Sequence, residues 1–279
     1  MAALDPRINP YRPELAAKHL QGKVKAEVFV EGEIRQVLDA QAPLRHVPTP
    51  DARLDSEALM GERVTIYDCN DEGWCWGQLE TDGYVGWIAS NALGPLGIAP
   101  THKVSVLRTL GFPSSDIKLP PAAALPMGAR LAIVSQDERF AVSATGLYLP
   151  LLHLSPLNAK ATDFVAVAER FLGTPYLWGG KTNLGIDCSG LVQVSLQAVG
   201  IACPRDADLQ EITLGKISTQ SNLRRGDLVF WKGHVAIVSD QTTLLHANGF
   251  HMSVVYEPLA DAIARIRAAG SEITSIKRL

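Results

Sequence analysis

Cys188 combines a nucleophilic side chain with a position that favours its chemistry. The residues that follow it carry apolar side chains at helical spacing until Gly200: Leu191, Val192, Leu196 and Val199. Asp187 is therefore the predicted N-cap of a helix, with Cys188 in its first turn, where unpaired backbone N–H groups and the helix dipole favour a thiolate. We expect a lowered pKa for Cys188, although a cysteine taken alone is more often a buried structural residue.

Two histidines downstream offer the general base that an attacking thiol requires and the third group that orients this base. His234 opens one alternating segment and His246 closes the next, on either side of the turn residues Ser239-Asp240-Gln241. An odd-numbered loop centred on Asp240 would place the histidines directly opposite each other, with Cβ atoms about 4.5–5.5 Å apart. A two-residue loop would place them on opposite faces of the sheet. We expect the first arrangement, in which both rings serve one cysteine.

Five segments around these residues carry a family resemblance: TPYLWGG (174–180), GIDCSGLVQ (185–193), RGDLVFW (225–231), GHVAI (233–237) and LHAN (245–248). In order and spacing they resemble the NlpC-type family of papain-like cell-wall cysteine peptidases, over about residues 158–279. The resemblance implies that Cys188 is the nucleophile, His234 the base and His246 the orienting residue. It also implies that the Tyr176 hydroxyl donates to the oxyanion beside the backbone N–H of Cys188.

The same resemblance implies a substrate and its contacts. Enzymes of this family cut peptidoglycan stem peptides between γ-D-glutamate and the diamino acid, and the chemistry needs no metal ion or organic cofactor. Asp187, Ser189 and Arg205 match positions that contact the substrate in such enzymes. The alternative for Asp187 is a helix cap and nothing more.

An internal repeat precedes this part of the chain. The segment that begins Met60-Gly61 returns from Met127-Gly128, and residues 83–87 return weakly as residues 146–150. Each copy has short alternating strands separated by Gly, Asp and Asn, which predicts two small β-barrels. The first copy, with Gly73-Trp74 and the later motif GYVGW, resembles bacterial SH3-like domains.

The SH3-like resemblance implies a further contact with substrate. Where such domains precede this peptidase domain, an acidic residue and a tyrosine of the first one capture the free amino group of a terminal L-alanine. Tyr84 matches the tyrosine, and Glu57 is the candidate acid, with Asp82 as the alternative. Tyr84 could instead be an aromatic residue of the barrel core. Trp74, Trp76 and Trp87 are expected to pack in the barrel rather than to bind a ligand.

The predicted fold class is α+β: a papain-like peptidase domain, with a helical half and an antiparallel sheet half, behind two SH3-like barrels. The predicted domains are an arm over 1–36, barrels over 37–97 and 98–157, and the peptidase domain over 158–279. The arm should contain a helix over 14–20 and a strand over 24–30. In the peptidase domain, Thr162 should cap the first helix, and the last helix should span Leu259–Ala268.

Composition excludes some partners and compartments. A net charge of −3, with Lys and Arg scattered along the chain, gives no electrostatic footprint for nucleic acid. Neither an export signal nor a membrane-length apolar run occurs, so we expect a cytoplasmic protein without a membrane partner. The four cysteines lack CxxC or Cys/His ligand spacing, so neither a disulfide framework nor a zinc site is expected. The oligomeric state is unknown from the sequence.

Two other functions remain open at this stage. The Cys/His pair could serve a papain-like amidase or acyltransferase that acts on another acyl bond. The SH3-like repeats could instead make the chain a non-catalytic wall-binding protein, although the complete Cys-His-His set and the expected compartment argue against this. For the preferred peptidase, peptidoglycan-derived stem peptides are the expected partners, and the absence of an export signal favours a role in murein peptide recycling.

Overall fold

The computed structural model describes residues 4–279, which form two compact units. The first ends at Ala159 and the second spans Lys160–Leu279. Residues 1–3, part of the N-terminal segment searched for an export signal, lie outside the described residues. Four α-helices and many antiparallel strands make up the described chain, so the predicted α+β class is confirmed.

The arm before the first barrel does not contain the predicted helix over 14–20. Residues Leu15–Ala17 form strand β1, which pairs in parallel with β2 (Val28–Val30) and runs into a single 3-10 turn at Lys18–Leu20. So short a helix is marginal without a packed face, whereas β-branched residues on the partner favour strand pairing. The predicted strand over 24–30 is correspondingly shorter, because only Val28–Val30 pairs.

The arm also contacts the first barrel through Arg12. Its guanidinium lies 4.8 Å from the ring centroid of Trp76 and 5.0 Å from that of Trp87, and it pairs with Asp68. These contacts combine cation–π attraction with an ion pair. The two tryptophans therefore hold a side chain of the same polypeptide, in agreement with the expectation that they pack within the barrel unit.

Seven strands build the first barrel: β3 (Glu33–Val37), β4 (Gln41–Arg45), β5 (Leu54–Leu59), β6 (Arg63–Cys69), β7 (Trp74–Leu79), β8 (Val85–Ala89) and β9 (Leu93–Gly94). They form one antiparallel sheet in the order β5-β4-β8-β7-β6-β3-β9. Its core is apolar and includes Leu44, Val64, Leu79 and Ile88. Alternate residues of the strands point into this core, as the period of two in the sequence requires.

Eight strands follow in the second barrel: β10 (His102–Val104), β11 (Arg108–Gly111), β12 (Ala123–Pro126), β13 (Arg130–Leu131), β14 (Ile133–Gln136), β15 (Phe140–Ser143), β16 (Tyr148–Pro150) and β17 (Leu154–Pro156). Strand β10 pairs with both β13 and β17, as β3 pairs with both β6 and β9. Gly61 and Gly128, equivalent in the repeat, both turn the chain with positive φ angles of 80° and 92°. The second barrel thus repeats the pairing of the first in shorter sheets.

A disulfide joins Cys69 and Cys75, so the expectation that the cysteines form no disulfide framework was wrong for this pair. Cys69 ends β6 and Cys75 lies in β7, and the two residues are directly paired across the hairpin with a Cα–Cα distance of 4.0 Å. Their spacing in sequence matches no recognised disulfide or metal motif. Hairpin register, rather than the spacing of the cysteines, brings the two sulfurs together.

The second unit has four helices and a six-stranded antiparallel sheet. The helices are α1 (Phe164–Glu169), α2 (Cys188–Ala198), α3 (Ala207–Thr213) and α4 (Leu259–Ala268). The strands are β18 (Lys181–Thr182), β19 (Gly185–Ile186), β20 (Lys216–Ile217), β21 (Leu228–Trp231), β22 (His234–Asp240), β23 (Thr243–Asn248), β24 (Ser253–Pro258) and β25 (Ile273–Arg278). The sheet runs in the order β20-β25-β21-β22-β23-β24, and β18 pairs with β19 alone.

Helix boundaries in this unit agree with the sequence except at the first helix. Asp163, rather than the predicted Thr162, caps α1 by accepting a hydrogen bond of 2.8 Å from the backbone N–H of Val165. Helix α4 has the predicted bounds and buries its apolar face against a core that includes Ala236, Val238 and Leu244. Within residues 4–279, no helix is both long enough and apolar enough to span a bilayer.

The disulfide gives a testable stability difference in the first barrel. Closing a seven-residue loop should stabilise the fold by about 2 kcal/mol, because it restricts the unfolded chain. We expect the free energy of unfolding of the double variant Cys69→Ala/Cys75→Ala to be lower by that amount. Urea unfolding monitored by tryptophan fluorescence measures this difference. Reductant should lower wild-type stability to the same level and leave the variant unchanged. Equal stability of both proteins without reductant would contradict the assignment.

Candidate active site

The start of helix α2 is built as the sequence predicts. Asp187 is the N-cap, and its Oδ1 accepts a hydrogen bond of 2.7 Å from the backbone N–H of Gly190. Gly190 is required at this point, because a Cβ atom there would lie 2.4 Å from the carbonyl oxygen of Gly180. Cys188 therefore begins a helix whose first turn is held tightly against the preceding loop, and its side chain is buried.

Arg205 completes this turn through a buried ion pair with Asp187. Its Nη1 donates to Asp187 Oδ1 at 2.9 Å and its Nη2 donates to Oδ2 at 2.7 Å. Nη1 also donates to the Ser189 hydroxyl at 3.0 Å, and Nη2 to the carbonyl of Gly180 at 3.2 Å. The three residues predicted to contact substrate are thus brought together, but each is buried and bonded to the others. Their role toward substrate stays a prediction.

The hairpin that carries the histidines has a different register from the predicted one. Ile237 pairs with Leu245 and Val238 with Leu244, so His234 lies opposite Asn248 rather than His246. The loop has two residues, the length expected to separate the histidines, and by itself would place His234 opposite Gly249. A bulge at Ser239 moves the register back by one residue, to Asn248. The two shifts together restore an even offset, so both histidines lie on the same face as diagonal neighbours.

A row of hydrogen-bonding side chains crosses three strands from His234. His234 Nε2 lies 2.9 Å from His246 Nδ1, and His246 Nε2 lies 2.9 Å from Glu257 Oε2. Arg265 donates to Glu257 from Nε at 2.9 Å and from Nη2 at 2.6 Å. The predicted contact between the two histidines is present. Its continuation to Glu257 and Arg265 was missed by the sequence analysis, although an acidic residue in an apolar strand directly after the histidine hairpin was a usable signal.

The thiol of Cys188 lies at the start of strand β22. The backbone N–H groups of Val235, the residue after His234, and of Ser189 favour the charged form of this thiol. Burial nevertheless raises the pKa of Cys188 to about 12, with a further contribution from the negative charge of Asp187. The expected lowering of this pKa was wrong, because loss of hydration outweighs the N–H donors at the helix start. These effects favour the neutral thiol.

The two imidazoles and the Tyr176 phenol are also favoured in their uncharged forms. Burial lowers the pKa of His234 and of His246, which keeps both imidazoles uncharged and able to accept a proton. The Tyr176 phenol is half-buried, and its pKa is raised first by burial, with a further contribution from the negative charge of Asp187. Tyr176 therefore remains a protonated hydroxyl, which can donate a hydrogen bond near the sulfur.

Glu57 and Tyr84 belong to the first unit and are buried there. Glu57 lies in β5 and accepts a hydrogen bond from Gln41. Tyr84 packs in the barrel core, which agrees with the alternative considered for it, and Asp82 caps its turn by accepting from the Tyr84 backbone N–H at 3.0 Å. A role for any of them in binding substrate stays a prediction.

The arrangement in the second unit supports one kind of chemistry. A thiol at a helix start, an uncharged imidazole with a partner on its far nitrogen, and a nearby phenol are the parts needed for nucleophilic attack on an acyl group. In this scheme the sulfur forms a thioester, the imidazole moves the proton, and the phenol and backbone N–H face the developing oxyanion.

Comparison with known proteins agrees with this arrangement. The profile of the NlpC/P60 family matches residues 173–268, and the profile described as a bacterial dipeptidyl-peptidase Sh3 domain matches residues 44–93. A crystal structure of an NlpC/P60 family protein from Bacillus cereus superposes with a TM-score of 0.75, covers 88% of this chain and 99% of that chain, and is 21% identical. The fold of the chain is therefore that of an NlpC/P60 protein with an SH3 domain before it.

Curated relatives match at different lengths. Dipeptidyl-peptidase 6 of Lysinibacillus sphaericus is 40% identical over 96 residues, which is 34% of this chain and 35% of that protein. Gamma-D-glutamyl-L-lysine dipeptidyl-peptidase of Bacillus cereus is 25% identical over 245 residues, covering 74% of this chain and 71% of that protein. The probable endopeptidase NlpC of Escherichia coli is 32% identical over 108 residues, which is 33% of this chain and 70% of that protein. Because 70% of that last protein is matched at 32% identity, and the family profile matches residues 173–268, the chain belongs to the NlpC/P60 family.

Proposed function

We propose that the chain is a cysteine peptidase in which Cys188 is the nucleophile and His234 the general base. The observation that carries this proposal is the contact between His234 and His246. His234 is the residue before Val235, whose backbone N–H acts on the Cys188 thiol. His246 orients the His234 ring through the 2.9 Å contact. The Tyr176 hydroxyl and the Cys188 backbone N–H stabilise the oxyanion.

The reaction has two halves. Cys188 Sγ attacks the peptide carbonyl carbon while its proton passes to His234, and the carbonyl oxygen becomes an oxyanion. His234 then gives this proton to the departing amine nitrogen as the C–N bond breaks, which leaves a thioester. Water attacks the thioester with His234 as base, and the C–S bond breaks as the proton returns to sulfur. A neutral thiol and a neutral imidazole suit this sequence, because the proton moves only as the S–C bond forms.

The proposed substrate is a peptidoglycan stem peptide, cut between γ-D-glutamate and the diamino acid. The support is the name of the Bacillus cereus relative, a gamma-D-glutamyl-L-lysine dipeptidyl-peptidase, which aligns through both SH3 and NlpC/P60 parts. Removal of a dipeptide requires a free amino terminus, here that of L-alanine. Glu57 and Tyr84 remain the predicted residues for recognition of this amine, with Asp82 as the alternative acid.

The compartment and the recycling role remain predictions. A free-amine substrate fits peptides released from the wall, and the expected cytoplasmic location fits their recycling. The Cys69–Cys75 disulfide weighs against the cytoplasm, because disulfides persist mainly in oxidising compartments. The redox state of this pair in acid-quenched cells distinguishes the two locations.

Alanine variants test the proposed catalytic roles. We expect Cys188→Ala and His234→Ala to reduce kcat by about 10⁴-fold or more, because each removes a group that forms or breaks bonds. His246→Ala should retain measurable activity, since it only orients the base. Release of the dipeptide from a defined tripeptide is measured by mass spectrometry. Cys203→Ala, which changes the other reduced cysteine, and His19→Ala, at an exposed histidine of the arm, should cleave normally. Cleavage by Cys188→Ala would refute the mechanism.

The neutral thiol–imidazole pair predicts a specific pH behaviour. Burial favours uncharged His234, so the acid limb of kcat/KM should lie below the ordinary histidine pKa of about 6.5. Burial favours the Cys188 thiol, so its alkylation should rise through a midpoint above the free-cysteine value of about 8.5. Iodoacetamide rates in the Cys203→Ala background isolate the Cys188 signal. A midpoint below 8.5 would contradict this expectation and support the lowered Cys188 pKa that the sequence predicted.

Substrate length tests the proposed specificity. If a carboxylate binds the terminal ammonium, N-acetylation removes a charge-assisted hydrogen bond of about 1.5–3 kcal/mol and leaves the acid without its partner. We expect kcat/KM for free L-Ala-γ-D-Glu-L-Lys to exceed that of the N-acetylated peptide by about a hundredfold. Glu57→Gln should narrow this ratio if Glu57 is the acid, and Asp82→Asn should do so if Asp82 is. Equal rates for both peptides would rule out recognition of the amine.

A further inference from the structure

The proton positions in the histidine row depend on a residue beyond His246. Each neutral imidazole carries one N–H, and the nitrogen that carries it is set by the partner of the other nitrogen. His234 can accept the thiol proton on Nδ1 only if its own proton is on Nε2. His246 must then accept on Nδ1 and carry its proton on Nε2. An acceptor is therefore needed at His246 Nε2.

Two residues compete for that nitrogen. Glu257 Oε2 lies 2.9 Å from His246 Nε2 and can only accept when ionised, whereas Asn248 Nδ2 lies 3.0 Å away and can only donate. The orientation of the Asn248 amide is fixed, because its Oδ1 accepts a hydrogen bond of 2.8 Å from the backbone N–H of His251. If Asn248 prevailed, every proton in the row would reverse, and His234 would carry its proton on Nδ1, where it could not accept one from the thiol.

Arg265 decides this competition in favour of Glu257. Its two donors hold both carboxylate oxygens, and the exposed fraction of the Glu257 side chain is only 7%. Burial by itself would raise the pKa of Glu257, but the hydrogen bonds from His246 and Arg265 outweigh it and lower the pKa to about 2. An ionised oxygen 2.9 Å from an unprotonated Nε2 would set two lone pairs against each other. The proton therefore lies on Nε2.

We propose that Glu257, held by Arg265, is a positioning residue that sets the tautomers of His246 and His234 and so keeps the His234 Nδ1 free to take the thiol proton. This inference rests on the proposed catalytic roles of Cys188 and His234. The titratable and charged groups that act on the row are Glu257 itself on β24, Arg265 on α4 and His251 in the loop after β23.

The decisive measurement is the tautomer of each ring, which needs no substrate. Long-range ¹H–¹⁵N NMR of histidine-labelled protein at neutral pH should show Nε2–H for both His234 and His246. In Glu257→Met, which keeps the length of the side chain but loses its acceptor, Asn248 and Arg265 offer only donors to Nε2. Both rings should then switch to Nδ1–H. Rings that carry Nδ1–H in the wild type, or that stay unchanged in Glu257→Met, overturn the proposal.

Kinetics should follow the tautomers. Glu257→Met should lower kcat by about 10²-fold or more with KM changed by less than about threefold, because the base is lost while the binding surface is kept. Glu257→Gln keeps an amide oxygen able to accept from His246 and should recover activity to within about tenfold of wild type. Glu272→Met is the matched control, because Glu272 makes a similar two-oxygen pair with Arg267 of the same helix but is exposed. Unchanged kcat in Glu257→Met also overturns the proposal.

The outcomes separate this inference from the proposed function. If Glu257→Met does not fold, the wild-type tautomers alone decide. A wild-type protein with both rings as Nε2–H that cleaves no stem peptide would support the positioning role and refute only the proposed substrate. A protein that cleaves the peptide with His234 in the Nδ1–H form would keep the function and refute the role of Glu257.

Discussion

The buried ion pair between Asp187 and Arg205 is the interaction on which the site depends. An aspartate can satisfy a helix start alone, but here its two oxygens also accept from Gly179 and from two guanidinium nitrogens. A buried charge is tolerated only when it is paired and hydrogen-bonded on all sides. Arg205, 18 residues further along the chain, pairs with this carboxylate and so locks the loop before Cys188 to the segment after helix α2. The position of the sulfur follows from this lock.

The sheet half meets a different requirement: it sets the direction of the hydrogen bonds along the row from His234 to Glu257. The row from His234 to Glu257 uses diagonal neighbours on three successive strands, since His234 lies opposite Asn248, His246 opposite Val255, and Glu257 opposite Leu244. Rigid strand pairing fixes the spacing of the rings, and the buried carboxylate fixes the sense of the hydrogen bonds. The helix half therefore places the Cys188 thiol, while the sheet half would, under the proposed roles, decide which way its proton moves.

Much of this could be read from the sequence, and the failures have physical causes. The cap at Asp187, the helix Leu259–Ala268 and the contact between His234 and His246 follow from local patterns or motif spacing. The hairpin register could not be read, because a bulge leaves no mark in the alternation of side chains. The pKa of Cys188 was misjudged because the helix dipole is a local effect, whereas burial depends on the whole fold. Glu257 was missed because its partner Arg265 lies on the next helix.

The bulge at Ser239 has a consequence for how this hairpin can change in evolution. The two-residue loop alone would place the histidines on opposite faces, and the bulge shifts the register by one residue, so that the combination keeps His234 and His246 on one face. A single insertion or deletion between the two histidines would turn one ring to the other side of the sheet, while a change of two residues would preserve the face. Length variation in this turn among active relatives should therefore be even-numbered, or be accompanied by gain or loss of the bulge.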